Sequence, residues 1–441
     1  MSYPEAVAYL NSLGIDAMKS MAPSLHRIEA LCEALNHPEA SVPAIHITGT
    51  NGKTSTARIA AALLESAGLR TGTYTSPHLQ TIRERIALAG EPIPKDEFGD
   101  LFDHLIPFVR HVERSVGESL TFFEILTGMF FLWAAEAPLE AMVVEVGLGG
   151  RWDATNVVPA PVAVVTNIGL DHTGLLGTDR RTIALEKAGI IKPGCTSVTG
   201  ERRPDVVEVI AAAADECDSR LVEIGRDFEV ELNRVAVGGR YLTVAARDRT
   251  YEELFLPLHG SHQGTNAAMA LQSVLEFLPA GSLGDEVVKD GFAATMVPAR
   301  FETLRGEGAD PAVVLDVAHN PDGMSALVSS LVEEIAFDRA VIVVGILGDK
   351  DHRGMLTELT RVPCTIVATS AATVRSVPTD ELEKSARELG LDCTVVDKVS
   401  EAVEHALAVA EAGEIVCVTG SHYVVGEART YLLGDPDSEM I

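Results

Sequence analysis

Short apolar runs alternate with segments of helical periodicity along much of this chain, and this alternation restricts the fold more than any other feature. Between the first two runs a helix is predicted from Lys53 to about Ala67, ending at Gly68. The strand-like runs of the first half lie at residues 44–48, 71–75, 141–146 and 162–168. Because these runs are apolar on both faces, they predict an α/β fold with parallel strands covered by helices.

The middle of the chain differs, because strand-like runs follow one another closely after Pro193. These runs are SRLVEI, FEVEL, RYLTVAA and ELFLPL, and a helix is predicted after them from about Gln263 to Phe277. Consecutive short strands are typical of antiparallel pairing. We interpret this region as a small antiparallel flank to the first domain.

A second α/β series follows VPARFE, and a domain boundary is predicted near Val297 to Glu302. A chain of 441 residues is too long for one ordinary core, so two domains are expected, residues 1–297 and 298–441. The strand-like runs of the second domain lie at residues 312–318, 340–347, 364–370, 393–397 and 414–421. Five strands with helix-length crossovers predict a small, open, Rossmann-like parallel sheet.

Composition excludes several classes of protein. The longest apolar run, residues 125–135, is shorter than the roughly 20 residues of a membrane span. No basic region followed by an apolar core opens the chain, so a cytoplasmic protein is expected. The six cysteines show no zinc-binding spacing. A net charge of −29 disfavours nucleic acid and acidic membranes as partners, so an anionic ligand needs local positive groups or N–H donors.

The run HITGTNGKTST, residues 46–56, offers such groups. A strand is predicted to end at Thr48, the loop GTNG follows, and Lys53 begins a helix. Glycines let the backbone approach a polyphosphate, helix N–H groups point at it, the lysine adds charge and a hydroxyl can reach Mg²⁺. The spacing is not GxxxxGK[ST], because Ile47 stands where that pattern has glycine. We interpret the run as a phosphate-binding loop, with a glycine-rich turn of no chemical role as the alternative.

Four polar residues fall at or just beyond the carboxyl ends of predicted strands, where open parallel sheets bind ligands. They are Ser76, Glu145, Asp171 and His172. Each has a simpler explanation, Ser76 as a turn residue, Glu145 in a buried salt bridge and His172 as a hydrogen-bonded loop residue. Together, a hydroxyl, a carboxylate and an imidazole beside a phosphate loop suit Mg²⁺ that bridges nucleotide phosphates.

Lys187 lies on a predicted helix within the run EKAGIIK. A solvated lysine is the simpler interpretation of this residue. Lysines are few in this chain, however, and arginine cannot replace an amine that must be neutral or modified, because arginine stays protonated.

Ten ordered segments between about Pro23 and Arg429 resemble signature runs of the folylpolyglutamate synthase and dihydrofolate synthase family, within the Mur ligase superfamily. They are GTNGKTS, TSPHL, FFE, EVGLGGRWDATN, LDHTGLLG, EKAGIIKPG, HQGTNA, ARFE, DVAHNPDG and TGSHYVVGE. The resemblance implies a P-loop-containing parallel-sheet ATPase domain with the antiparallel flank, and a smaller Rossmann-like C-terminal α/β domain. It also implies an ATP-dependent amide ligase, in which a pteroate or folate carboxylate attacks the ATP γ-phosphate and L-glutamate captures the acyl phosphate.

The resemblance implies roles for individual residues. Those implied to bind ATP are Gly49, Thr50, Asn51, Gly52, Lys53, Thr54, Ser55, Asn266, Arg300 and Asp316. Two Mg²⁺ sites are implied, one at Ser76 and Glu145 and one at Glu145 and His172. Lys187 matches the carbamylated lysine of the family. The candidate catalytic residues are Lys53, His172, Lys187 and His319.

The pterin substrate is implied to lie against an N-terminal loop from about Met21 to Arg27 and two further segments. The candidate substrate-binding residues are Arg27, Thr121, Phe122, Phe123, Glu124, Trp152, Asp153 and Ala154, with Ser421 near the incoming glutamate. For Phe122 and Phe123, a place in the hydrophobic core is the better default interpretation. The chain departs from the family pattern at residues 54, 299 and 152, where it has Thr, Ala and Trp. None of these departures removes a group that the mechanism needs, and the family implies a monomer with small-molecule substrates.

Three other interpretations remain open. A cell-wall Mur ligase normally has a further substrate domain, for which the roughly 45 residues before the phosphate loop leave little room. A P-loop kinase or GTPase would transfer phosphate without making an amide, and a nucleotide-binding regulator would bind ATP without turnover. Within the resembling family, the same residues serve glutamate addition to dihydropteroate, extension of folate tails, or both.

Overall fold

The computed structural model describes residues 1–14, 24–247, 249–304 and 311–434, whose strands form three sheets. The strands are β1 Ala44–Thr48, β2 Thr71–Tyr74, β3 Ile86–Leu88, β4 Glu91–Pro92, β5 Ala141–Glu145, β6 Val162–Val165, β7 Thr196–Thr199, β8 Arg220–Glu223, β9 Phe228–Ala236, β10 Gly239–Ala246, β11 Arg249–Leu256, β12 Glu302–Leu304, β13 Ala312–Leu315, β14 Ala340–Val344, β15 Cys364–Ser370, β16 Asp392–Lys398 and β17 Ile415–Thr419. We call the part with β1–β11 the N-terminal part and the part with β12–β17 the C-terminal part.

The α-helices surround these sheets and connect most of the parallel strands. They are α1 Tyr3–Ser12, α2 His26–Ala34, α3 Lys53–Ser66, α4 Lys95–Val116, α5 Phe122–Glu136, α6 Thr173–Leu176, α7 Arg180–Ala188, α8 Pro204–Glu216, α9 His262–Phe277, α10 Asp285–Ala293, α11 Pro321–Glu334, α12 His352–Leu359, α13 Thr379–Glu388, α14 Val399–Val409 and α15 His422–Leu433. Within the described residues, no helix has both the length and the apolar character that crossing a bilayer requires.

The large sheet of the N-terminal part has eight strands in the order β4-β3-β2-β5-β1-β6-β7-β8. The strands from β2 to β8 in this order are parallel, whereas β3 and β4 pair antiparallel at one edge. Helices α3, α9 and α10 cover one face, and α1, α2, α4 and α5 pack on the other side in a second core. The parallel α/β fold expected from two-sided apolar strands is confirmed. Because β5, β1 and β6 are neighbours, the loops after their carboxyl ends lie side by side.

One strand of the expected antiparallel flank belongs elsewhere. The run SRLVEI forms β8, which pairs in parallel with β7 at the edge of the large sheet, so its assignment to the flank was wrong. The reason is the helix α8 between β7 and β8, which provides the crossover that a parallel pair needs. The three other runs form the antiparallel sheet β11-β10-β9, which packs its apolar face onto the core around α9.

The C-terminal part has a six-stranded sheet in the order β12-β13-β17-β14-β15-β16. Its five parallel strands are those expected from the sequence. The sixth strand, β12, pairs antiparallel with β13 at the edge, with Glu302 opposite Leu315. With only three residues it offers no periodicity from which to predict it.

A buried polar network joins the two parts through residues that are far apart in the sequence. Arg240 in β10 contacts Glu334 at the end of α11, and each side chain is only 1% exposed. The Glu334 carboxylate also accepts hydrogen bonds from His259 Nδ1 at 2.9 Å and from the Gly260 N–H at 2.8 Å. These donors hold the pKa of Glu334 below its usual value although burial acts in the opposite direction. Glu334 therefore fixes the end of α11 against the N-terminal part.

Replacement of Glu334 tests this anchoring contact. Glu334→Ala leaves the Arg240 guanidinium buried without its partner, and we expect a loss of about 3 to 5 kcal/mol in the free energy of unfolding. The matched control is Glu333→Ala, which removes an ion pair to the same arginine from a carboxylate that is 41% exposed, with an expected loss below about 1 kcal/mol. Urea unfolding of both variants measures the difference, and equal losses would contradict the assignment.

Candidate active site

The loop Gly49–Gly52 connects β1 to α3 and can be built only with glycine at both ends. A Cβ on Gly49 would lie 1.7 Å from Thr166 Oγ1 in the loop after β6. Gly52 has a φ of 83°, and a Cβ there would lie 2.4 Å from Asn266 Oδ1 at the start of α9. The loop is therefore pressed against the two segments beside it, and the helix that follows directs its first N–H groups towards the space above the loop.

Two lysines donate hydrogen bonds to one carbonyl oxygen of this loop. Gly49 O accepts from Lys53 Nζ at 3.1 Å and from Lys187 Nζ at 2.8 Å. Burial lowers the pKa of both amines, and burial together with the nearby charge of Lys53 lowers the pKa of Lys187 to about 7. Lys187 is therefore not a solvated lysine, and near neutral pH a large fraction of its amine is uncharged.

Glu145, the last residue of β5, is 1% exposed and faces the start of α3. Thr54 Oγ1 donates to its two carboxylate oxygens at 3.0 and 3.1 Å, and the Ser76 N–H donates at 3.3 Å. Burial raises the pKa of this carboxyl, while the charge of Lys53 opposes the shift. Within the described part of the chain no basic side chain lies at ion-pair distance from Glu145, so the carboxylate can accept a cation.

Asp171 and His172 follow β6 and contact a lysine of the C-terminal part. Lys350 Nζ lies 2.6 Å from Asp171 Oδ1 and 3.0 Å from His172 Nε2. Burial opposes ionisation of Asp171, but the charge of Lys350 outweighs it and holds the pKa of Asp171 well below its usual value. Burial, assisted by Lys350, lowers the pKa of His172 to about 4. The imidazole is thus neutral at physiological pH, with Nε2 as a hydrogen-bond acceptor.

The segment between the two parts brings Arg300 to the phosphate loop. Arg300 Nη2 lies 3.5 Å from Thr54 Oγ1, and the charge of Asp316 acts on the partly buried guanidinium. The Asp316 carboxylate accepts from the N–H groups of Phe301 and Ala318, both at 2.9 Å. Burial raises the pKa of Asp316 to about 6. Asp316 therefore holds the turn that carries Arg300.

Two polar residues of the C-terminal part face the same space. His319 Nδ1 hydrogen-bonds the carbonyl of Val317 at 2.9 Å, and its ring packs 5.3 Å from that of His422. Burial, followed by the charge of Lys350, lowers the pKa of His319 to about 4. Ser421 caps α15, and its hydroxyl oxygen accepts from the Val424 N–H at 3.2 Å.

A cavity of about 290 Å³ lies between the two parts and collects most of the predicted residues. Those that line it are Gly49, Thr50, Asn51, Gly52, Lys53, Thr54, Ser76, Thr121, Phe122, Phe123, Glu145, Asp153, His172, Lys187, Arg300, His319 and Ser421. Predicted residues outside its lining are Arg27, Ser55, Glu124, Trp152, Ala154, Asn266 and Asp316. Of these, Asn266 and Asp316 still support lining residues through the contacts given above.

Several residues predicted to bind substrate make internal contacts. Arg27 Nε pairs with Glu124 Oε1 at 3.0 Å, and Glu124 also completes the N-terminal cap of α5 with Thr121. Trp152 is 48% exposed, and Ala154 belongs to the core beneath α5. Of the predicted N-terminal loop, residues 21–23 lie outside the described residues.

The sequence analysis missed several residues in or beside the cavity, among them Lys350, Asn320 and Arg85. Lys350 follows β14, so the signal that pointed to Ser76 and Asp171, a polar residue beyond a parallel strand, could have found it. Asn320 caps α11 and reaches Asn51 Oδ1 at 3.0 Å. Arg85 precedes β3, a strand of only three residues, and no local pattern marks it.

Comparisons with known proteins agree with this geometry. The Mur ligase middle domain matches residues 47–274, and the Mur ligase glutamate ligase domain matches residues 299–422. A Mycobacterium tuberculosis protein named dihydrofolate synthase/folylpolyglutamate synthase is 39% identical, over 94% of this chain and 91% of its own. The fold is similar to that of M. tuberculosis folylpolyglutamate synthase complexed with ADP, with a TM-score of 0.92, 38% identity and 99% coverage of both chains. It is also similar to an Escherichia coli protein in complex with DHPP and ADP, with a TM-score of 0.86, 30% identity, and coverage of 97% and 98%.

Gly52→Ala tests whether the loop binds phosphate. The new Cβ would meet Asn266 Oδ1 at 2.4 Å, at a φ that alanine adopts only with strain, so the loop must shift. We expect MgADP to bind at least about tenfold more weakly, as measured by calorimetry. The control is Gly174→Ala, where no described atom lies within 4 Å of the new Cβ. Unchanged affinity in Gly52→Ala would rule out the loop as the phosphate site.

Proposed function

The chain belongs to the dihydrofolate synthase/folylpolyglutamate synthase family of Mur ligases, and we propose that it joins L-glutamate to dihydropteroate, to reduced folates, or to both in an ATP-dependent reaction. One observation carries the proposal. The phosphate loop with Lys53 faces Lys350, His319 and Ser421 of the other part across a single cavity. A ligase that joins two anions at the expense of ATP needs such a cavity, because three negatively charged substrates must meet there.

The proposed reaction has two steps at the phosphate loop. The acceptor carboxylate attacks the γ-phosphorus of ATP, the bond to the β-phosphate oxygen breaks, and ADP leaves with the electron pair. The amine of glutamate then attacks the acyl carbon, phosphate leaves, and an amide forms after loss of a proton. Lys53 stabilises the charge on the β- and γ-phosphates. His319 and Ser421 lie on the side from which glutamate approaches the acyl phosphate.

For the nucleotide, we propose that residues 49–55 surround the phosphates and that Asn266, Arg300 and Asp316 contribute to the nucleotide side of the site. The support is spatial, because Asn266 packs on Gly52 and Arg300 reaches Thr54. Asp316 then acts by holding the turn of Arg300 in place. The guanidinium of Arg300 stays charged, as arginine does in proteins, and suits an anionic ligand.

Two Mg²⁺ ions are part of the proposal. The residues near Glu145 fit a divalent cation, because this buried carboxylate receives only neutral donors from Thr54 and Ser76 in the described structure. His172 fits the second site only when Lys350 moves away, since Lys350 Nζ lies 3.0 Å from the Nε2 that would be the ligand. When bound, Mg²⁺ neutralises charge on the transferred phosphate.

We further propose that Lys187 is carbamylated. Only a neutral amine reacts with CO₂, and burial has lowered the pKa of Lys187 to about 7. The carbamate would replace one of two neighbouring cations with an anion, and this removes the repulsion between Lys187 and Lys53. A carboxylate beside Gly49 could then order the cations around the phosphates.

Membership of this family also supports proposals about the partners, location and domains of the protein. We propose small-molecule substrates only, without nucleic acid or membrane partners, a monomer in the cytoplasm, and a domain boundary between residues 297 and 298. For the pterin ring we propose the side of the cavity lined by Thr121, Phe122, Phe123 and Asp153. Arg27, Glu124, Trp152 and Ala154 support this side from behind or at its margin.

The activity is tested by ADP formation from MgATP with each substrate omitted in turn. We expect ADP only when glutamate and either dihydropteroate or tetrahydrofolate are both present, because the acyl phosphate must be captured for turnover. Mass spectrometry of the acceptor should show the addition of glutamate. ADP formation without glutamate, together with a phosphorylated acceptor that persists, would indicate a phosphotransferase, and tight ATP binding without ADP formation would indicate a regulator.

The metal site and the modified lysine are tested separately. Glu145→Gln and Lys187→Ala are expected to lower kcat by at least about 10- to 100-fold, because each removes charge that orders the phosphates and cations. With ¹³C-labelled bicarbonate, the wild-type protein should give a carbamate resonance above about pH 7 that is absent in Lys187→Ala. The exposed residues Glu231 and Lys384 provide controls, as Glu231→Gln and Lys384→Ala. Full activity in either site variant would refute its assignment.

A further inference from the structure

Arg85 is a buried arginine that lines the cavity and has no carboxylate partner among the residues that the structure describes. The residue is 7% exposed, and its Nε donates to His78 Nδ1 at 2.8 Å. Its guanidinium carbon lies 5.3 Å from the centre of the Phe122 ring. The cavity lining includes both Arg85 and Phe122.

The neighbouring carboxylate does not neutralise Arg85. Glu84 is adjacent in sequence, but its carboxylate accepts from the backbone N–H groups of Leu79, Gln80 and Thr81 at 2.8 to 2.9 Å. These three bonds hold the loop before β3. An arginine stays protonated in a protein, so the structure buries an arginine charge without a described counter-ion at contact distance. Burial of an unpaired charge is costly, and an anionic ligand in the cavity would offset that cost.

The position of Arg85 restricts the kind of anion that could bind to it. Arg85 lies on the side of the cavity that Phe122 shares, whereas Lys53 and Lys187 are gathered at the phosphate loop. The guanidinium offers a planar fork of donors that matches a carboxylate. A reacting carboxylate must approach the γ-phosphate near Lys53. Because Phe122 lies on the side that we propose for the pterin, an anion at Arg85 would belong to the acceptor as a second group.

Acceptors of the proposed reaction differ in this second group. Dihydropteroate carries one carboxylate, and that carboxylate reacts. A folate that already bears glutamate carries an α-carboxylate as well as the γ-carboxylate that reacts. We propose that Arg85 binds the non-reacting α-carboxylate of a glutamylated acceptor and so determines specificity for tail extension over first addition. This inference rests on the proposed function.

Kinetics of Arg85→Gln with two acceptors test the proposal. We expect KM for tetrahydrofolate to rise about 10- to 100-fold, the loss typical of a hydrogen-bonded charge pair. The KM values for dihydropteroate, ATP and glutamate should change less than about threefold. Equal increases for both acceptors would assign Arg85 to the reacting carboxylate, and an increase for glutamate alone would assign it to the incoming amino acid. Either result overturns the proposal. Arg110→Gln, on the exposed side of α4, is the control.

Direct binding separates failure of this inference from failure of the proposed function. In the presence of ADP, the wild-type protein should bind pteroylglutamate more tightly than pteroate, and Arg85→Gln should remove that preference. This outcome would support the role of Arg85 even if no amide formed. Equal binding of the two ligands by the wild-type protein would overturn it even if the ligase activity were established. Arg85→Lys keeps the charge without the fork and should retain an intermediate preference if Arg85→Gln does not fold.

Discussion

The convergence of Lys53 and Lys187 on the carbonyl oxygen of Gly49 is the contact on which the site depends. It ties together the end of β1, the start of α3 and the end of α7. The charge of Lys53 adds to burial in lowering the affinity of the Lys187 amine for a proton. The absence of a side chain at Gly49 lets the loop pack against Thr166 while its carbonyl accepts from both amines. The loop therefore has a structure that an anion, or the conversion of one amine to an anion, would stabilise further.

The C-terminal part completes the site through polar contacts, and those contacts are of two kinds. At one position the Arg240–Glu334 pair is almost fully buried and fixes the end of α11. At the cavity, Lys350 contacts both Asp171 and His172. A cation or a substrate could bind to these two groups instead. A contact of the first kind is costly to break, whereas ligands can compensate the loss of the second. The contacts at the cavity are therefore the ones that a bound ligand can replace.

Much of this architecture could be predicted from the sequence, because strands that are apolar on both faces and crossovers of helix length are typical of parallel α/β folds. The strand β8 was wrongly assigned to the antiparallel flank because the crossover helix before it was overlooked. The strand β12 is too short to show any pattern. Side chains at strand ends were found because topology alone brings them together. The pairing of Arg27 with Glu124 could not be foreseen, since 97 residues separate them and no local spacing records the contact. Arg85 was not predicted because no local pattern marks it and its position beside Phe122 is a tertiary contact.

The charge of the chain and the charge of the cavity have opposite consequences for ligands. A net charge of −29 repels anions at the surface, most strongly extended polyanions that would lie along it. Within the cavity, Lys53, Arg85 and Arg300 place positive charge between the two parts, where electrostatic interactions are stronger than at the open surface. A small anion that enters the cavity leaves the acidic surface behind and meets these groups, whereas a polymer cannot. Burial of basic residues therefore gives an acidic protein selectivity for small anionic substrates.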